Sequence, residues 1–196
     1  MAAGKEWTIP KEWGATSDRS TIKVWDPFVR VFHWSLVASF VIAFLTGDDY
    51  ETLHIWAGYA AAALVAMRLL WGVAGTRYAR FTQFVRSPST VLSYVRDVVT
   101  GREARYLGHN PAGGVMVIAL LTSLIALCGT GILMTTDAYW GSEPLEEVHE
   151  VIANVMLILV ALHVGGVVFE STRHHESLVR AMFTGRKRAP EDGDVA

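Results

Sequence analysis

The stretch Val148 to Phe169, VHEVIANVMLILVALHVGGVVF, is long enough to cross a bilayer and carries two histidines, His149 and His163. They are fourteen residues apart. At 3.6 residues per turn and 1.5 Å rise, both rings leave nearly the same helix face, about 21 Å apart along the axis. Two imidazoles on one face, one toward each leaflet, point to two metal centres stacked across a membrane. The rest of the chain must then supply a partner histidine at each depth.

Three more apolar blocks of spanning length precede it: Phe28 to Thr46, Leu53 to Val73 and Pro111 to Met134. Of the 196 residues, 52% are hydrophobic, and their concentration in four blocks with few charges reads as a polytopic membrane protein in contact with lipid. Pro27 suits the start of the first span and Gly47-Asp48-Asp49 its end. Small residues Gly113, Gly114, Gly129 and Gly131 in the third span leave room for a neighbouring helix or a flat ligand. Ser87-Pro88-Ser89 predicts the start of an amphipathic helix between spans 2 and 3, with Val91, Leu92, Val95 and Val98/Val99 on one side, lying along the membrane surface. No early apolar core or cleavage site marks residues 1 to 24 as a secretory signal, so the first span is expected to stay and direct insertion.

Charge sets the orientation. The polar arm 1–26, the middle loop and the tail hold the lysines and arginines, except Arg30 and Arg68 near the same ends. The two short connectors hold none and are acidic, with Asp48, Asp49, Glu51, Asp137, Glu143, Glu146 and Glu147. The positive-inside rule therefore puts both termini in the cytoplasm, the chain being multi-pass in a cell membrane. A net charge of −2 gives no field directed at nucleic acid. The single cysteine, Cys128, cannot form an internal disulfide, and the absence of C-x-x-C-H excludes covalently attached c-type haem on this chain.

Depth can then be assigned to each histidine. His33 is in the cytoplasmic half of span 1, and His54 opens span 2 on the outer side. His149 lies in the outer half of span 4 and His163 at the cytoplasmic level. The layers pair His33 with His163 and His54 with His149. Zinc normally takes four protein ligands or three and a water, and the inner layer offers no cysteine or carboxylate beside its two imidazoles. A planar macrocycle needs only two axial ligands, which is haem b held between helices, two haem b in all. With both axial positions filled, electron transfer is the chemistry to expect. Arg68 follows His54 by fourteen residues, level with the inner pair. It either neutralises a haem propionate or snorkels to the cytoplasmic surface.

The pieces VFHW, LHIWAGYAAAALVAMRLLWG, GHNPAGG and VHEVIANVMLILVALHVGG resemble the bacterial cytochrome b561 family, which includes membrane subunits of nickel–iron hydrogenases. The resemblance covers about residues 24 to 185. It implies an all-α membrane four-helix bundle with two b haems ligated from spans 1, 2 and 4, exchanging electrons between the quinone pool and a partner outside the membrane. The domain reading is a cytoplasmic polar arm (1–26), a transmembrane dihaem cytochrome b domain (27–185) and a disordered cytoplasmic tail (186–196). Quinone binds near the cytoplasmic haem in such relatives, which makes His109 and Asn110 candidates for its carbonyl or hydroxyl groups; the plain alternative is that Asn110-Pro111 only starts a helix. The periplasmic partner is expected to be a hydrogenase-like protein or a c-type cytochrome docked on the acidic connectors, and a homodimer is compatible with this reading. A lone superoxide:quinone oxidoreductase is an alternative that the acidic connectors disfavour, since they repel an anion. A non-redox membrane protein with structural histidines is the other.

Overall fold

The computed structural model describes residues 21–47 and 49–195. Trp7 and Trp13 of the polar arm and Asp48 of the first connector lie outside the described residues. Among the described residues, four helices are long and apolar enough to cross a membrane: α1 (Pro27–Thr46), α2 (Glu51–Ala74), α5 (Pro111–Met134) and α6 (Glu143–Arg173). Between α2 and α5 run α3 (Phe81–Phe84) and α4 (Pro88–Thr100), and α7 (Leu178–Thr184) follows α6. Two short strands, β1 (Thr21–Lys23) and β2 (Arg186–Arg188), pair antiparallel. The fold is thus mainly helical, as the four apolar blocks require.

Helix starts follow local chemistry. Asp26 caps α1 by accepting from Val29 N at 3.0 Å, with Pro27 inside the first turn. Ser87 caps α4 and Asn110 caps α5 in the same way, each followed by proline. The helix expected from Ser87-Pro88-Ser89 therefore forms over Pro88–Thr100, and Gly101, in the left-handed region at φ 69°, stops it. Its inward face carries Tyr94, while Leu92, Val95 and Val99 stay exposed. Helix α6 is longer than the apolar stretch Val148–Phe169. Its 31 residues span about 46 Å, against an apolar bilayer core of about 30 Å, so both polar ends stand clear of it.

Helix α1 packs on α2, α2 on α5, and α5 on α6. Between the two outer pairs lies an apolar layer in which Val65, Leu124 and Met156 are buried and Leu36, Phe40, Leu120 and Val160 pack around them. Without a hydrophobic drive between lipid-immersed helices, such interdigitation supplies much of the cohesion.

The ends of the chain depart from expectation. Residues 186–196 were predicted as a disordered tail, but β2 pairs with β1 in the register Thr21↔Arg188, and Val195 bridges to Tyr106. The reason is buried charge. Arg105, at 6% exposure, donates to Glu176, to Asp194 and to the Arg188 carbonyl, and Lys187, at 5%, donates to the Tyr106 carbonyl. Charges so buried persist only when paired, and the tail supplies the partners. Two polar stretches at opposite ends of the chain thus close over one end of the bundle, on a single side, as an even number of crossings demands.

Candidate functional site

The four histidines expected as ligands stand in two facing pairs. His33 on α1 and His163 on α6 have ring centres 6.5 Å apart, and His54 on α2 and His149 on α6 have ring centres 6.0 Å apart. All four are half-buried. The two layers are separated by the apolar plug, in which Met156 lies seven residues from each α6 histidine.

These distances bear on what the pairs can hold. A metal–imidazole bond is about 2 Å and a ring nitrogen lies about 1 Å from its ring centre, so two imidazoles sharing one metal have centres about 6 Å apart. Both pairs stand near that spacing. No group of three or more metal-ligating side chains occurs among the described residues. Two nitrogens per layer suit a cofactor that brings its own equatorial ligands, and a b-type haem fits the donor set.

The His54–His149 pair is oriented by its neighbours. His54 Nδ1 donates to the Ala43 carbonyl of α1 at 2.8 Å, and His149 Nδ1 lies 2.8 Å from Thr130 Oγ1 of α5. Each ring is held by the helix its own helix packs on, and Nε2 is left for a ligand. The His33–His163 pair differs: His33 Nδ1 is buried without a partner among the described residues.

Arg68 does not snorkel. It is 4% exposed, donates from Nη2 to the Ala79 carbonyl at 3.0 Å, and rests its guanidinium 5.2 Å from the Phe81 ring centre. Its Nη1 is buried and unpaired among the described residues, a donor free to meet an anionic group.

His109 and Asn110 have separate environments. His109 is packed between Trp25 and Phe84, ring centres 4.8 Å from each. Burial, with the positive charges of Arg68 and Lys187, pushes its imidazole down to about 3, so it is neutral. Asn110 uses both ends of its amide: Oδ1 accepts from Gly113 N at 2.6 Å, and Nδ2 donates to Glu170 Oε1 at 2.6 Å. Glu170 also accepts from Tyr94 OH at 2.7 Å and meets His174 Nε2 at 3.2 Å. Gly114 lets this end close, since a Cβ there would stand 2.5 Å from the Phe84 carbonyl.

Sequence reasoning missed Thr130, Glu170 and Asp26. Glu170 follows His163 by two helical turns, and Thr130 is level with His149. The depth matching that paired the histidines would have found both. Asp26 accepts from Trp71 Nε1 and Thr76 Oγ1, tying the start of α1 to the end of α2. Burial pushes its carboxyl up, but the hydrogen bonds from Thr76, Val29 and Trp71 outweigh it and hold the group below the usual range.

A family model described as prokaryotic cytochrome b561 matches residues 24–185. The chain is also similar to a probable Ni/Fe-hydrogenase B-type cytochrome subunit of Bradyrhizobium diazoefficiens, 21% identical and covering 87% of each protein. No solved structure matches it significantly.

Proposed function

The chain belongs to the prokaryotic cytochrome b561 family, and on that premise we propose that it carries electrons across the membrane through two b haems, between the quinone pool and a periplasmic redox partner. That it is a multi-pass membrane cytochrome of b type follows from the family and the four apolar helices. The finer reading is supported by one observation above the others: four histidines in two facing pairs, at 6.5 and 6.0 Å, on opposite sides of an apolar plug.

Bound haem supplies a one-electron carrier in each layer. The residues do the rest. His33 with His163, and His54 with His149, would hold the two haems, and iron so held by two histidines would favour electron transfer over chemistry at the metal. Arg68, with a buried unpaired Nη1, serves as the counter-charge for a propionate at the inner level. The basic loops support a cytoplasmic placing of that level, and of both termini, in a bacterial inner membrane. There the neutral His109 and the Asn110–Glu170 pair border the quinone site. On the other face, the exposed Asp49, Glu51, Asp137, Glu143, Glu146 and Glu147 give an acidic dock for a hydrogenase-like or c-type cytochrome partner.

The test is a reduced-minus-oxidised spectrum of the purified protein with a haem-to-protein ratio. Two b haems per chain, reducible by a quinol, are expected. A preparation without b-type bands would leave the non-redox alternative.

A further inference from the structure

The Thr130 hydroxyl has more contacts than its single proton can serve. Its oxygen lies 3.0 Å from the Ala126 carbonyl, 3.0 Å from the Leu127 carbonyl and 2.8 Å from His149 Nδ1. Carbonyl oxygens only accept, so the hydroxyl proton is directed back along α5. What it shows to His149 is a lone pair. A His149 that keeps Nε2 for iron carries its ring proton on Nδ1, and this oxygen is placed to accept it. The adjacent Gly131 leaves space for this ring, since a Cβ there would stand 3.3 Å from His149 Cε1.

We infer that Thr130 is a positioning residue for the outer haem: it fixes the tautomer of His149 and strengthens Nε2 as an axial donor. This rests on the dihaem reading above. An imidazole that donates its far N–H to an acceptor is the more basic ligand, and ferric iron profits more from that than ferrous iron. His54 is treated alike by the Ala43 carbonyl, whereas buried His33 Nδ1 in the inner pair has no such partner among the described residues. The outer haem is therefore the lower-potential centre of the two, and Thr130 is the side chain that sets part of the difference.

The experiment is a redox titration of full-length protein carrying both haems, with the two centres resolved, for wild type, Thr130→Val and Thr130→Ser. Valine keeps the volume and removes the acceptor. The expected result is a loss of about tenfold in the preference of the outer site for ferric iron, about 59 mV upward for a one-electron couple. The inner potential stays put, and Ser restores the wild-type value. Loss of the outer haem from Thr130→Val with retention in Thr130→Ser supports the inference equally. A two-haem Thr130→Val protein with unchanged potentials, or one in which only the inner centre moves, overturns it while the dihaem reading stands. A wild-type preparation without haem overturns that reading and this inference with it.

Discussion

Arg105 donates to both carboxylate oxygens of Glu176, from Nη2 at 2.9 Å and from Nε at 3.3 Å, joining residues 71 apart in the chain. Around them Lys187 Nζ stands 3.4 Å from Glu176 Oε2, and the Arg188 amide donates to Glu176 Oε1. One carboxylate thus ties the α6–α7 link, the loop before α5 and the tail.

That knot predicts acid lability at one end of the bundle. Burial pushes the Glu176 carboxyl up, but the donors Arg105 and Arg188 and the charge of Lys187 outweigh it and hold the group below its usual range. Asp194 is held low for similar reasons. A depressed carboxylate stabilises the fold fully above its unfolded value, about 4, and loses that contribution as pH falls through its folded value. Burial pushes the Lys187 ammonium down. Limited proteolysis of residues 186–195 between pH 7 and pH 3 should show the tail releasing on the acid side. Glu176→Gln should release it already at pH 7, at a cost of about 3–5 kcal/mol for breaking a buried pair. A tail equally protected in the variant at pH 7 would contradict this.

The haem-ligand pairing makes the second prediction. His54 and His149 belong to one layer, and the plug around Met156 separates them from His33 and His163. His54→Ala or His149→Ala should each lower the haem-to-protein ratio from two to one and leave the other centre's spectrum in place. His33→Ala and His163→Ala should remove the complementary haem. A ratio unchanged by either outer substitution rules out the pairing.

The spans and the layered histidines were legible because they are periodic or long. An apolar block of twenty residues announces itself, and a fourteen-residue spacing survives the turn of a helix. The third span matches its expected bounds, Pro111 to Met134, because Asn110-Pro111 is a strong local start. What was not legible depends on pairs remote in sequence. Ile22 opposite Lys187, and Arg105 against Asp194, leave no local pattern. A run of charged residues reads as a solvated tail until its buried partners are known. For the same reason nothing local marks Asp26, a charge before a proline, as the residue that binds α2 to α1.

Asn110 gives a third prediction, because it has two jobs that substitutions can separate. Asn110→Ala removes the cap of α5 and one donor to Glu170, and should cost about 1–2 kcal/mol in thermal stability. Asn110→Asp keeps a cap but sets a carboxylate against Glu170 Oε1. It should be the worse of the two at pH 7.5, and should recover toward the alanine variant as the pH is lowered and one acid takes up a proton. Tyr94 donates to the same carboxylate; burial and the Glu170 charge push its phenol up, so it stays protonated throughout this range. An aspartate variant as stable as wild type at pH 7.5 would mean that the Asn110–Glu170 contact does not hold.

Met156 makes the last prediction, and it concerns volume rather than chemistry. It is 2% exposed, among the largest fully buried side chains, and it packs with Val65 and Leu124 between the two histidine layers. Met156→Ala leaves a cavity where packing is the main source of cohesion, at a cost of about 2–5 kcal/mol. Met156→Leu nearly conserves the volume and should cost less than about 1.5 kcal/mol. Neither replaces one of the four paired histidines, so on the proposed dihaem reading both variants should keep two haems per chain and differ only in thermal midpoint. If Met156→Ala instead lost a haem while Met156→Leu kept both, the plug would be holding the sites in place as well as the helices together.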